Sequence, residues 1–295
     1  MKLSGSCRWL SAIVLALFFG LSVLAQKTEL KPSTAARVQE HKLDSKLMER
    51  AMPYRVILPA DYEKQAKKRY PVIYLLHGLT GHFNNWTDRT KIAEYAAGYD
   101  LIVVTPEGGD GWYTDSVTKA NDRYESYIIS ELVSEVEKKF RARTDRGGRL
   151  IAGLSMGGYG ALKFGLKYPD KFALAGSFSG ALGAATLGES GGGGFLPKSI
   201  GEVFGSPGSE TRKANDIFRL VREMPAEKIR ELPFIYFDCG TEDFLFSNNR
   251  DFAALLLEKK VKHEFRQLPG AHNWTFWDSQ AWEFLRLSAR FFTQK

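Results

Sequence analysis

The chain has 295 residues, 44% of them hydrophobic and 25% charged, which excludes a chain too polar to build a core and suits a globular protein. Lys and Arg outnumber Asp and Glu by 41 to 34, for a formal charge of +7. The excess is spread out, densest at "KKR" (67–69) and "RARTDRGGR" (141–149), and no basic stripe points to nucleic acid. Aromatic residues make up 13%, including 6 Trp, enough to furnish a pocket for flat or sugar-like groups.

The chain opens with Lys2 and Arg8, then runs uncharged from Trp9 to Ala25, and "VLA" before "QK" has the small residues of a cleavage site. This layout predicts a signal peptide over 1–25 and a secreted or periplasmic protein. The rival reading is a retained membrane anchor, but the apolar run is shorter than the roughly 20 residues of a spanning helix, so cleavage is favoured and no stable membrane insertion is expected after it. Loss of Lys2 and Arg8 lowers the charge from +7 to +5. Cys7 leaves with the leader, and Cys239 alone cannot form an internal disulfide. No Cys/His cluster has zinc-ligand spacing, so neither a metal nor a cofactor is expected.

Residues 26–36 are polar and read as a flexible lead-in to a domain over 37–295. Two strands are predicted between Val38 and Leu58. "PVIYLLHG" (71–78) is a continuous apolar run closed by glycine, the pattern of a strand buried on both faces. A helical "IAEYAAGY", a strand in "DLIVVTPEGG" and a helix over 122–140 follow. Then come a strand in "GRLIAGLS", a helix stopped by Pro169, a strand in "FALAGSFSG", and strands over 233–240 and 262–270. Helices are expected at 248–260 and 278–292. This alternation implies an α/β fold with a mainly parallel, doubly wound sheet and helices on both faces. The stretch 181–232, with "GESGGGG" at 188–194, breaks the rhythm and reads as a lid-like insertion.

Gly153-Leu154-Ser155-Met156-Gly157 is a G-x-S-x-G pattern between a buried strand and a helix, the context a nucleophile elbow needs. A serine hydroxyl needs a base. Of five histidines, His272 lies on a loop past the last strand, at the sheet edge where such folds do their chemistry. The base needs an acid; Asp243 is favoured and Asp238 is second, with Glu242 also near. The oxyanion needs two N–H donors, expected from Met156 and from Leu79 in the turn "HGLTG". Trp86, Trp112, Tyr113, Trp274 and Trp277 fall on predicted edge loops, where some could stack on substrate while others pack into the core.

The segments "MPYRVILPADY", "YPVIYLLHGLTG", "PEGGDGWYTDS", "AGLSMGGYGAL", "CGTEDFLF" and "LPGAHNWTFW" together resemble the esterase D branch of the α/β-hydrolases. That branch includes S-formylglutathione hydrolases, feruloyl and acetyl-xylan esterases and mycolyltransferases. The resemblance implies an α/β-hydrolase fold, a Ser155–Asp243–His272 triad and an oxyanion hole from the Leu79 and Met156 amides. It also sets the loop of Trp112 and Tyr113 beside the substrate. The expected function is a secreted serine carboxylesterase acting on small-molecule or carbohydrate esters, without a cofactor. A leader argues against the cytosolic S-formylglutathione role. The rivals are an acyltransferase using the same groups and a non-catalytic carbohydrate-binding homologue. Oligomeric state is left open.

Overall fold

A computed structural model describes residues 37–187 and 195–292; the expected leader (1–25), lead-in (26–36) and glycine run (188–194) lie outside them. The described residues form an eight-stranded sheet in the order β1-β2-β4-β3-β5-β6-β7-β8. The strands are β1 Val38–Ser45, β2 Arg50–Ile57, β3 Val72–Leu76, β4 Ile102–Pro106, β5 Arg149–Leu154, β6 Leu174–Phe178, β7 Phe234–Gly240 and β8 His263–Leu268. β1 and β2 pair antiparallel, as do β2 and β4; all other pairs are parallel.

Apolar strands without alternation need cover on both faces, and the core divides that way. Val72, Tyr74 and Leu76 of β3 join one cluster, with Ile151 of β5 and Met156, Tyr159 and Phe164 of the helix Met156–Lys167. Ile73 and Leu75 join the other, with Leu150, Ala152 and Leu154 of β5 and Phe276, Phe284 and Leu285 of the helix Trp274–Phe292. The two-residue period of the strands thus feeds two cores.

Two elements differ from expectation. The helix expected over 122–140 contains a π-helical segment, Tyr127–Leu132, whose wider winding buries Tyr127, Ile128 and Ile129 in succession. The last helix begins at Trp274 rather than 278, because Asn273 Oδ1 accepts the Phe276 N–H at 3.0 Å and caps it. The stretch 181–232, expected as an insertion of part loop and part helix, carries four α-helices among its described residues, including Phe195–Phe204, between β6 and β7. Among the described residues no helix is long and apolar enough to cross a membrane.

Register sets the site. Leu76 pairs with Gly153, Leu154 with Phe178, Phe178 with Asp238, and Gly240 with Leu268. The carboxyl ends of β3, β5, β7 and β8 therefore finish along one edge, and the loops carrying Leu79, Ser155, Asp243 and His272 all leave from it.

Candidate active site

The chain turns from β5 into the helix Met156–Lys167 through Ser155, whose φ of 53° and ψ of −115° hold it in a strained left-handed conformation. The turn brings backbones almost into contact. A Cβ on Gly153 would lie 2.5 Å from the Gly157 carbonyl carbon, and one on Gly157 would lie 2.5 Å from the His77 carbonyl oxygen. Only hydrogen fits at either position. The Ser155 N–H donates to the Phe178 carbonyl at 2.9 Å, and its own carbonyl accepts from Tyr159 and Ala181. The backbone is thus pinned while the hydroxyl faces the cavity.

His272 Nε2 lies 3.1 Å from Ser155 Oγ, and His272 Nδ1 lies 2.8 Å from Asp243 Oδ2. A carboxylate can only accept, so Nδ1 carries the proton and Nε2 presents its lone pair to the serine hydroxyl. The ring is held between Phe244 and Trp277, at centroid distances of 4.7 and 4.8 Å. The Asp243 side chain is wholly buried, and its Oδ1 accepts the Leu245 N–H at 2.9 Å. Burial works against its charge, but the hydrogen bonds from His272 and the Leu245 amide outweigh it and hold the carboxyl below the usual carboxylate range.

Asp238, the second choice in the sequence, points elsewhere. It is fully buried, Oδ2 accepts from the Tyr236 hydroxyl at 2.8 Å, and burial pushes its pKa well up. Glu242 is exposed. Of the other histidines, His82 is exposed beside Glu107 and His263 bonds the Val261 carbonyl, while His41 packs on Tyr54 and Phe140.

The amides expected to hold an oxyanion lie beside Ser155. Met156 supplies the first N–H of its helix, at the positive end of the dipole. Leu79 lines the cavity, and its amide makes no hydrogen bond among the described residues. Its orientation is fixed from behind. The Gly78 carbonyl, in the same peptide unit as the Leu79 N–H, lies 2.8 Å from His77 Nδ1 and accepts the Gly81 N–H at 3.0 Å. The carbonyl and N–H of a trans peptide point in opposite directions, so tying the oxygen back turns the Leu79 N–H outward.

Three aromatic residues expected against substrate are instead buried outside the cavity lining. Trp86 and Tyr113 are fully buried and Trp112 is 2% exposed. Trp86 Nε1 donates to the Leu76 carbonyl at 3.0 Å, and the Tyr113 hydroxyl donates to the His77 carbonyl at 3.0 Å. They brace the exit of β3 from either side. Trp112 Nε1 bonds Ser199 Oγ at 3.2 Å, tying its loop to the helix Phe195–Phe204. The apolar core takes these large rings, and each polar tip finds one partner there. Trp274 and Trp277 do line the cavity, with Phe244, Leu79 and Arg89. Its volume is about 460 Å³, within the usual range for a small-molecule site.

The support under this loop includes residues that the sequence reading passed over. Lys163 is fully buried and donates at 2.7 Å to each of Tyr113 O, Thr114 Oγ1 and Glu125 Oε2. Burial pushes the Glu125 carboxyl up, but Lys163 and Lys167 outweigh it and bring the pKa to about 2. A lysine inside the apolar run "GGYGALKFGL" is the signal that could have found it.

The fold and site can now be set beside known proteins. The model of the family described as Putative esterase matches residues 45–285. The chain belongs to that family. An acetyl esterase of Caldicellulosiruptor saccharolyticus is 30% identical over 250 residues, covering 79% of this chain and 91% of that protein. A solved ferulic acid esterase superposes with a TM-score of 0.74 at 29% identity, over 86% of this chain and 98% of that one. A fluorophosphonate-binding serine hydrolase of Staphylococcus aureus, FphF, gives 0.77 at 28%, over 85% and 97%. This esterase is a carboxylic ester hydrolase on an α/β-hydrolase fold, as its sequence motifs had led us to expect.

Proposed function

We propose that this esterase is a secreted serine carboxylesterase that cleaves acyl esters of sugars or aryl acids through Ser155, His272 and Asp243. The observation that carries the reading is the unbroken relay of 3.1 Å from Ser155 Oγ to His272 Nε2 and 2.8 Å from His272 Nδ1 to Asp243 Oδ2. His272 takes the serine proton as Ser155 Oγ attacks the ester carbonyl. The Leu79 and Met156 amides receive the oxyanion. Asp243, held ionised, steadies the imidazolium. His272 passes the proton to the leaving alkoxide, and water repeats the sequence on the acyl-enzyme. The aromatic wall of Phe244, Trp274 and Trp277 favours a flat acyl group or a sugar ring. Secretion rests on the leader-like residues 1–25.

Ser155→Ala tests the reading. Hydrolysis of p-nitrophenyl acetate should fall by roughly 10⁵- to 10⁶-fold, labelling by a fluorophosphonate should vanish, and the circular dichroism spectrum should not change. Turnover that persists in the folded variant would reject Ser155.

A further inference from the structure

Arg89 ends the short helix Asn85–Arg89 and lines the cavity that holds Ser155 and His272. Its guanidinium sits 5.6 Å from the centre of the Trp274 ring. Among the described residues no carboxylate pairs with it. Some arginines elsewhere pair with acids, as Arg55 does with Asp88 and Glu40, Arg50 with Asp122, and Arg266 with Glu264 and Glu283; others, such as Arg37, Arg69, Arg146 and Arg212, donate to backbone carbonyls, and Arg89 has neither kind of partner among the described residues.

The nearby acids are committed to other groups. Asp88, its chain neighbour, accepts from Arg55 at 2.6 Å and from Asn84 at 2.9 Å. Asp278, on the helix that carries Trp274, accepts from the Lys91 N–H at 2.7 Å and the Tyr95 hydroxyl at 2.9 Å. Asp243 is spent on His272 and Leu245. No Asp or Glu lines the cavity.

The remaining polar lining adds donors. Asn273 uses Oδ1 to cap its helix, and its Nδ2 hydrogens have no partner among the described residues. Asn85 is engaged at both ends, its Oδ1 accepting the His82 N–H at 3.0 Å and its Nδ2 donating to Asn84 Oδ1 at 3.3 Å. A cavity lined, among the described residues, by one arginine, the Asn273 N–H donors and no acid complements an anion. The guanidinium is planar and presents a two-pronged donor edge that matches a carboxylate, and its face on Trp274 reduces its freedom before a ligand arrives.

We propose that the preferred substrates of this esterase carry a carboxylate on one of their two halves, and that Arg89 is the residue that recognises it. The inference rests on the proposal that Ser155 is the nucleophile. It adds a charge requirement that the aromatic wall alone does not impose. The carboxylate could sit on the acyl side, as in a dicarboxylic half-ester, or on the alcohol side, as in an acylated hydroxy acid.

The test compares kcat/KM for two matched pairs. Monophenyl glutarate against phenyl butyrate places the charge on the acyl side. 3-Acetoxybenzoate against methyl 3-acetoxybenzoate places it on the alcohol side. The expected result is an anionic preference of about tenfold in one pair, the low end of a charge-assisted hydrogen bond because Arg89 is exposed. Arg89→Gln should remove that ratio, chiefly through KM; Arg89→Lys should keep part of it; and added salt should shrink it in the wild type. Equal rates in both pairs, or a ratio that survives Arg89→Gln, would overturn the assignment. The two proposals fail in different ways. If only Arg89 is misassigned, neutral esters are still hydrolysed in a Ser155-dependent manner with no charge preference. If Ser155 is misassigned, Ser155→Ala still hydrolyses phenyl butyrate.

Discussion

Asp243→Asn changes the shape of the site hardly at all, yet the hydrogen bonds of the site fix what it should do. In the wild type both carboxylate oxygens accept: Oδ1 from the Leu245 N–H at 2.9 Å and Oδ2 from His272 Nδ1 at 2.8 Å. Asparagine offers one oxygen and one NH₂ group. The Leu245 amide can only donate, so the oxygen must take the Oδ1 place and the NH₂ group must face His272. Nδ1 then has to accept, which moves the ring proton to Nε2 and points it at Ser155 Oγ, 3.1 Å away. The base has lost its lone pair where it is needed, and its imidazolium has lost a negative partner. A fall in kcat of about 10⁴, equivalent to about 5.5 kcal/mol, is expected, with KM changed by less than about threefold. Steady-state hydrolysis of p-nitrophenyl acetate at pH 7 to 9 measures the effect, and a thermal melt checks the fold. A folded Asp243→Asn protein with kcat within tenfold of wild type would refute the tautomer argument and with it the assignment of Asp243.

Other perturbations probe the supports of the site. Glu125 has its carboxyl lowered to about 2 from an ordinary 4.5, so its contribution is complete above about pH 4.5 and is lost as pH falls toward 2. That is worth about 3 kcal/mol, and urea midpoints between pH 6 and pH 3 should shift correspondingly less in Glu125→Gln, which should itself be destabilised by about 3 kcal/mol at pH 7; an unaltered pH dependence would contradict this. Gly153→Ala puts a methyl 2.5 Å from the Gly157 carbonyl carbon, and a loss of about 2–3 kcal/mol in chemical denaturation is expected, with esterase activity falling at least in proportion. Tyr113→Phe strips the donor from the buried His77 carbonyl; it should cost about 1–2 kcal/mol of stability and lower kcat more than it raises KM, since the braced segment leads into the Leu79 amide proposed to hold the oxyanion. Unchanged kcat would separate Tyr113 from the oxyanion loop.

The sequence by itself determined the sheet and the turn on which the proposed chemistry rests. Continuous apolar runs such as 72–76 and 102–106 can be stable only between two layers of helix, and that need is local enough to read from the chain. Gly153 and Gly157 around Ser155 announced a turn with no room for a side chain, for the same reason. Tertiary structure decided which of several similar residues does what. Asp238 and Asp243 stand five residues apart in "DCGTED"; Asp238 lies within β7 on the same face as Tyr236, two residues before it, whereas Asp243 lies past the strand's end, and only the folded loop brings it to His272. Trp86, Trp112 and Tyr113 could each have faced substrate or core from their place in the sequence, and in the fold their rings pack inward as struts, Trp86 from the helix Asn85–Arg89. Side-chain direction in a loop depends on contacts distant in sequence, as with Tyr113 and His77, 36 residues apart. The absence of a partner for Arg89 is likewise invisible in the sequence, where Asp88 stands next to it; only the folded chain assigns that acid to Arg55.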